Sequence, residues 1–101
     1  MVRHVILWKL KGNATEAENE AIKARIKAGL EGLAGKIPGL ESISVVTKGL
    51  SSSNADVMLD SSFASEEALK GYAIHPLHVA VANTDVRPYA EIRLCMDFVV
   101  P

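Results

Sequence analysis

Four stretches of the chain have the apolar and β-branched residues of strands, and apolar residues recur at helical spacing in two of the segments between them. The first stretch, Val2–Leu10, is rich in β-branched and aromatic residues, and the middle of each of its faces is apolar. This pattern predicts a strand that is covered on both sides. Further strands are predicted at residues 41–48, 56–63 and 90–100.

An apolar stripe at helical spacing predicts a helix between the first two strands. Thr15 and Glu18 have the spacing of a capping box at its start, and the Pro38-Gly39 pair ends it. The stripe consists of Ile22, Ile26, Leu30, Leu33 and Ile37. The glycines at 29, 32 and 35 either let a strand approach closely or weaken the end of the helix.

A second helical region follows the third strand. Ser65 is the expected cap of a short helix, with two glutamates in its first turn. His75 precedes a proline, and proline suits the first position of a helix. A new helix is therefore predicted from Pro76 to about Asn83, with His75 as its cap.

The order strand, helix, strand, strand, helix pair, strand predicts an α+β fold of the ferredoxin-like β-α-β-β-α-β type. One domain, residues 1–101, is expected, with an antiparallel four-stranded sheet and the helices on one of its faces. Val5, Leu7, Cys95 and Val99 are expected to make the other face partly apolar. An exposed apolar patch usually marks an interface, so a homodimer is predicted in which two sheets pack face to face and form a barrel.

Composition removes the main reason to propose several classes of function. Hydrophobic residues make up 49% and charged residues 23% of the 101 residues, and the net charge is −1, which gives no reason to expect binding to nucleic acid or to a membrane. The N-terminal apolar run is broken by His4 and Lys9 and is too short for a signal peptide or a membrane span, so the expected location is cytoplasmic. Cys95 is the single cysteine and is expected to be a small buried apolar side chain.

Most motifs for cofactors and metals are missing. The chain has no G-x-G-x-x-G and no H-E-x-x-H, and its "AGKIPG" has an isoleucine where a P-loop needs a hydroxyl. A three-histidine metal site is not favoured, because His75 and His78 are expected to point in different directions. No cofactor and no metal site are therefore predicted.

The segment "YAIHPLHVAVAN", residues 72–83, holds the candidate chemistry. His78 would occupy the third position of a helix that begins at Pro76, where the dipole favours a neutral imidazole that can act as a general base. Tyr72 lies on the preceding helix and His4 on the first strand, so the three side chains can share one cavity. Residues expected to line that cavity are Ile6, Val57, Leu59 and Val81. The alternative is that His4 and His78 are satisfied core histidines and Tyr72 a core aromatic.

Four segments, "RHVILWKLK", "IPGLESISV", "SEEALKGYAIHPLHVAVA" and "CMDFVV", resemble the stress-responsive A/B barrel (Dabb) family over nearly the whole chain. The most specific parts are "Y-x-x-HPxH" and the N-terminal "RH". The resemblance implies a ferredoxin-like subunit and a homodimeric α+β barrel. It also implies a likeness to small plant polyketide cyclases, which close a ring by an aldol reaction without a cofactor. Their histidine, tyrosine and supporting strand histidine correspond to His78, Tyr72 and His4.

Two functional hypotheses follow. In the first, the barrel binds a small hydrophobic carbonyl compound and acts as a cofactor-independent cyclase or aldol-type enzyme through His78 and Tyr72. In the second, it is a non-catalytic stress-response protein whose histidines are structural. The sequence departs from the cyclases at Val57, where they have a further pocket histidine, and along the first helix, where they have aromatic residues.

Overall fold

Four strands form one antiparallel sheet in the computed structural model, which describes residues 1–101. The strands are β1 (Val2–Leu10), β2 (Leu40–Val46), β3 (Val57–Phe63) and β4 (Ala90–Val99), and they lie in the order β2-β3-β1-β4. The helices are α1 (Glu16–Glu31), α2 (Glu66–Ile74) and α3 (Pro76–Val81), and α3 continues into a π-helical turn, Ala82–Val86. The predicted ferredoxin-like fold is confirmed.

The start of α1 matches the sequence prediction, whereas its end does not. The hydroxyl of Thr15 accepts a hydrogen bond from the Glu18 amide, and the Glu18 carboxylate accepts one from the Thr15 amide, which completes the capping box. The helix ends at Glu31, before the predicted end at Ile37. Gly32 caps it, and Gly35 adopts a left-handed conformation (φ +75°) that turns the chain.

Gly29 allows a close approach between helices. A Cβ atom at this position would lie 2.9 Å from Val81 Cγ1 and 2.8 Å from Asp85 Oδ2. The glycine therefore brings α1 against α3 and the π-helical turn, and the element that approaches is not a strand.

The break between α2 and α3 forms as the sequence predicts. The Ser65 hydroxyl accepts a hydrogen bond from the Ala68 amide and caps α2, and His75 Nδ1 accepts one from the Leu77 amide (3.2 Å) and caps α3. Regular α-helix ends at Val81, two residues before the predicted end, and the Arg87 amide then bonds to the Ala82 carbonyl across a wider π-type turn.

The core lies between the helices and the inner face of β1, β2 and β3. Helix α1 packs on β2, and α2 packs on β1, β2 and β3. Alternate residues of β1 are buried there, with Ile26, Leu59 and Phe63 almost fully enclosed. No helix has the length and apolar content needed to cross a bilayer.

Strand β4 is exposed within the subunit along almost its whole length, and this overturns two expectations. Antiparallel pairing places Cys95 opposite Ile6 and Val99 opposite Val2, so both side chains share the inner face of β1. The prediction that they lie on the second face is wrong. Cys95 is also exposed rather than buried, because β4 is an edge strand that the helices do not cover.

The outer face of the sheet is more apolar than the sequence predicted. Cross-strand pairing brings Leu7 next to Leu94 and Met58, and Val5 next to Met96. Within this face, Arg3 Nε and Nη2 donate to the two carboxylate oxygens of Asp60 at 3.0 and 2.9 Å. The outer apolar face, as the term is used below, comprises Val5, Leu7, Val46, Met58, Ile92, Leu94, Met96 and Phe98.

Candidate functional site

An open cavity of about 940 Å³ lies between α2, α3 and the inner faces of β1 and β4. Two of the predicted lining residues, Ile6 and Leu59, line it. The other two do not. Val57 is 2% exposed within the core, and Val81 packs against Gly29 of α1. Both predictions were wrong because a sequence pattern assigns a residue to a face of its element but does not show which part of that face the cavity reaches.

Tyr72 enters the cavity wall from the buried side of α2. Its side chain is 1% exposed, and its hydroxyl oxygen has no hydrogen-bond partner in the protein. Burial raises the pKa of Tyr72 to about 12, because the phenolate would lose its hydration. At neutral pH the side chain is therefore a hydrogen-bond donor without an acceptor, which is an uncommon state for a buried polar group.

His78 lies at the third position of α3, as predicted, and packs against Tyr72 with ring centroids 4.2 Å apart. Its Nδ1 donates to the carbonyl oxygen of Ala73 (3.2 Å), which leaves Nε2 as the acceptor nitrogen of the neutral ring. Burial lowers the pKa of His78, with smaller contributions in the same direction from His4, Arg87 and Arg93 and an opposing one from the Ala73 carbonyl. This direction agrees with the predicted bias towards the neutral form, and burial is its largest cause.

His4 reaches the same cavity from β1. Its ring lies 6.1 Å from that of Tyr72 and 6.2 Å from that of Phe63, in edge-to-face arrangements, and the residue is buried. The cavity thus brings together the three side chains for which the sequence predicted catalytic roles. His75 is different, because its ring caps α3 and does not line the cavity.

Asp97 and Cys95 are site residues that the sequence did not identify. His4 lies directly opposite Asp97 in the β1–β4 ladder, and His4 Nδ1 contacts Asp97 Oδ1. The Cys95 thiol donates to Asp97 Oδ1 (3.4 Å) and lies 3.8 Å from His4 Nδ1. Burial and then Asp97 raise the pKa of the Cys95 thiol. The available signal was the i, i+2 spacing of Cys95 and Asp97, but only the strand register shows that His4 is their partner.

The cavity is apolar in its depth and charged where it opens. Ile6, Leu30 and Leu59 form part of the apolar wall, and exposed Lys70, Arg87 and Arg93 line the site together with Glu66 and Asp97. A neutral imidazole, a protonated phenol and an apolar wall suit a small apolar molecule that carries an oxygen acceptor.

Comparison with known proteins finds a matching family. The family model described as "Stress responsive A/B Barrel Domain" (Dabb) matches residues 2–100. A search of curated proteins finds no match.

Several solved structures share the fold. A dimeric ferredoxin-like protein of unknown function from Bacteroides fragilis is 29% identical, with a TM-score of 0.89 over 96% of this chain and 93% of that one. A Dabb family protein from Mesorhizobium loti is 22% identical, with a TM-score of 0.75 over 99% and 96%. A hydroxynitrile lyase from Passiflora edulis is 15% identical, with a TM-score of 0.73 over 99% and 93%.

Proposed function

The chain belongs to the stress responsive A/B barrel (Dabb) family, and on that premise we propose that it is a homodimer whose cavities bind, and act on, a small apolar carbonyl compound. The outer apolar face supports the dimer. Leu94 and Met96 are 62% and 65% exposed in the subunit, which is costly for adjacent apolar side chains in water. The similar structure from Bacteroides fragilis is described as dimeric.

The unpartnered hydroxyl of Tyr72 is the observation that carries the ligand proposal. A buried donor without an acceptor costs about 1–3 kcal/mol, and a bound carbonyl oxygen would remove this cost. Because the pKa of Tyr72 is raised to about 12, the group keeps its proton and donates at any physiological pH. A ligand with an oxygen acceptor is therefore favoured over a purely hydrocarbon one.

The neighbouring imidazole supports a reaction of that ligand. Neutral His78 has Nε2 free and would remove a proton from the carbon next to the carbonyl group. Negative charge then develops on the carbonyl oxygen, where the Tyr72 hydroxyl stabilises it. The enolate carbon attacks a second carbonyl group, and the proton held by His78 passes to the new alkoxide, so that a carbon–carbon bond forms without net loss of protons.

His4 has a positioning role in this proposal. Its ring packs edge-to-face against the Tyr72 ring, and its contact with Asp97 fixes the orientation of the imidazole. It therefore helps to hold the phenol at the cavity wall. The hydroxynitrile lyase with the same fold supports an enzymatic use of that fold.

Binding of a simple aryl-alkyl ketone tests the ligand proposal. Benzylacetone should bind the wild-type protein, and Tyr72→Phe should weaken its binding about tenfold through loss of one hydrogen bond. Leu50→Ala, which changes an exposed loop residue, is the matched control and should bind as wild type does. Equal affinity of the wild-type and Tyr72→Phe proteins in isothermal titration calorimetry would refute a carbonyl acceptor at this hydroxyl.

A binding barrel without catalysis is the second candidate, and the hydrogen bond from His78 to Ala73 favours it. That bond ties α3 back to α2, which is a structural use of the imidazole. In this case His78→Gln would lower the free energy of unfolding while the ketone would undergo no reaction with either protein. Reaction of the ketone with the wild-type protein and not with His78→Gln would exclude this candidate.

A further inference from the structure

We propose that His4, Cys95 and Asp97 form a binding site for a zinc-class divalent metal ion on the inner face of the β1–β4 pair. Cys95 and Asp97 are two residues apart on β4 and point to the same face, and His4 stands directly opposite Asp97 on β1. One imidazole nitrogen, one thiol sulfur and one carboxylate oxygen lie within 4.8 Å of one another.

The spacing of these atoms suits a tetrahedral ion. Bond lengths of about 2.0–2.3 Å to nitrogen, oxygen and sulfur place pairs of ligand atoms roughly 3.3–3.8 Å apart around zinc. Cys95 Sγ lies 3.4 Å from Asp97 Oδ1 and 3.8 Å from His4 Nδ1, so two of the three separations already fit. The third pair, His4 and Asp97, is in closer contact and would open as the ion enters. The Asp97 side chain is 43% exposed and has room to make that movement.

His4 is the most rigidly positioned of the three ligands. His4 is 6% exposed, its ring packs edge-to-face on Phe63 and Tyr72, and its backbone carbonyl accepts a hydrogen bond from buried Ser61 (2.9 Å). A rigid imidazole and two adjustable ligands on an edge strand form a site that binds without rearranging the core.

The kinds of donor atom select the class of metal. A thiolate with an imidazole and a carboxylate suits zinc or cobalt, whereas magnesium and calcium prefer oxygen ligands alone. The thiolate and the carboxylate balance both charges of the ion, and the thiol proton leaves to solvent when the ion binds. Arg93 lies two residues before Cys95 on the same face, and its positive charge repels a metal cation. Both anionic ligands are therefore needed to neutralise the ion.

Three protein ligands leave a fourth position free. All three residues line the cavity, so that position would open towards the space beside Tyr72. An open fourth position is characteristic of zinc sites that bind water or a substrate oxygen, in contrast to closed structural sites. The metal proposal is separate from the proton transfer by His78, because the two share only His4 and its contact with Asp97, which position Tyr72 and transfer no proton.

Cobalt binding provides a direct test, because a thiolate ligand gives a distinct optical signature. Dimeric protein freed of metal with a chelator is titrated with Co²⁺. We expect a thiolate-to-cobalt charge-transfer band and tetrahedral d–d bands that saturate at one ion per chain and are lost on addition of Zn²⁺. Cys95→Ser should abolish the charge-transfer band, and Asp97→Asn should weaken Co²⁺ binding by at least about tenfold.

Met96→Leu is the matched control. Met96 also carries a sulfur atom and lies between Cys95 and Asp97 in sequence, but its side chain is on the outer face of the sheet. The Met96→Leu protein should bind Co²⁺ as wild type does. Cys95→Ser and Asp97→Asn change exposed residues and are expected to fold, which circular dichroism checks. The proposal is overturned if the wild-type protein shows no charge-transfer band, or if the band and the affinity survive in both ligand variants.

Discussion

Strands β1 and β4 are paired along nearly their whole length, yet their environments differ sharply. Ile6 is 4% exposed, whereas Cys95, which pairs with it, is exposed. The helices cover the inner face of β1 but do not extend over β4. Residues on the inner face of β1 are therefore part of the core, and those on the neighbouring strand β4 are exposed. On the inner side this surface is the wall of the cavity, and on the outer side it is the outer apolar face. The edge strand therefore forms one wall of the cavity and part of the proposed interface.

The largest expected effect is on assembly, through Leu94 of β4. A glutamate in its place would put a charge on the outer apolar face of both subunits. Each leucine contributes about 1.5–3 kcal/mol on burial, so the dissociation constant of the dimer should rise at least about a hundredfold. Sedimentation equilibrium measures the change, with Leu50→Glu as a control at an 81% exposed loop position. A Leu94→Glu protein that stays dimeric would place the interface elsewhere.

The next test compares two paired residues directly. Ile6→Ala should lower the free energy of unfolding by about 2–5 kcal/mol, because it removes a buried side chain from the core. Cys95→Ala, at the paired position, should change it by less than about 0.5 kcal/mol. Urea unfolding followed by circular dichroism measures both. Similar losses in the two variants would mean that β4 is covered as β1 is.

A smaller effect of opposite sign is expected at Tyr72. Its hydroxyl is buried and unpartnered, so Tyr72→Phe should raise the free energy of unfolding by about 1 kcal/mol while it weakens ketone binding. Gain of stability with loss of binding is the signature of a group kept for function. Chemical denaturation gives the first quantity, and a loss of stability in Tyr72→Phe would show that the hydroxyl has a partner in the folded protein.

The smallest expected effect is the pH dependence caused by His78. Its pKa in the folded protein is lowered from the usual 6.5. At pH values between the folded pKa and 6.5, the unfolded chain therefore binds more protons than the folded one. Stability from this group is complete above pH 6.5 and is lost as the pH falls through the folded pKa. His78→Gln should remove this loss.

Urea midpoints of the two proteins, taken in steps from roughly pH 7.5 to 5.5, measure that difference. His75→Gln serves as the matched control, because His75 lies outside the cavity, and it should keep the wild-type slope. Parallel curves for wild type and His78→Gln would mean that His78 titrates normally and is not held neutral by burial.

Local signals in the sequence were reliable because their physics is local. The Thr15 and Ser65 caps and the break at His75-Pro76 depend on residues within one helical turn, and each forms as predicted. Pro76 alone predicted that His78 occupies the third position of α3. That position places His78 beside Tyr72.

Features that depend on distant pairing could not be read in this way. Cys95 lies in an apolar run and was expected to be buried, because the pattern does not show that β4 is at the edge of the sheet. The cluster with His4 joins residues more than ninety positions apart, and a register shift of one residue would have separated them. Val57 lies on the predicted face of β3, but the sequence pattern does not show which part of that face the cavity reaches.

Proton exchange in a bound ketone tests the central claim, that His78 and Tyr72 act together on a carbonyl compound. Benzylacetone in deuterated buffer with the wild-type protein should exchange the hydrogens next to its carbonyl group, and proton NMR follows their loss. The account predicts a rate above that of buffer for wild type and for His75→Gln, and a fall of about a hundredfold or more in the catalysed rate for His78→Gln. Exchange at the buffer rate with wild type, or unchanged exchange in His78→Gln, would contradict it.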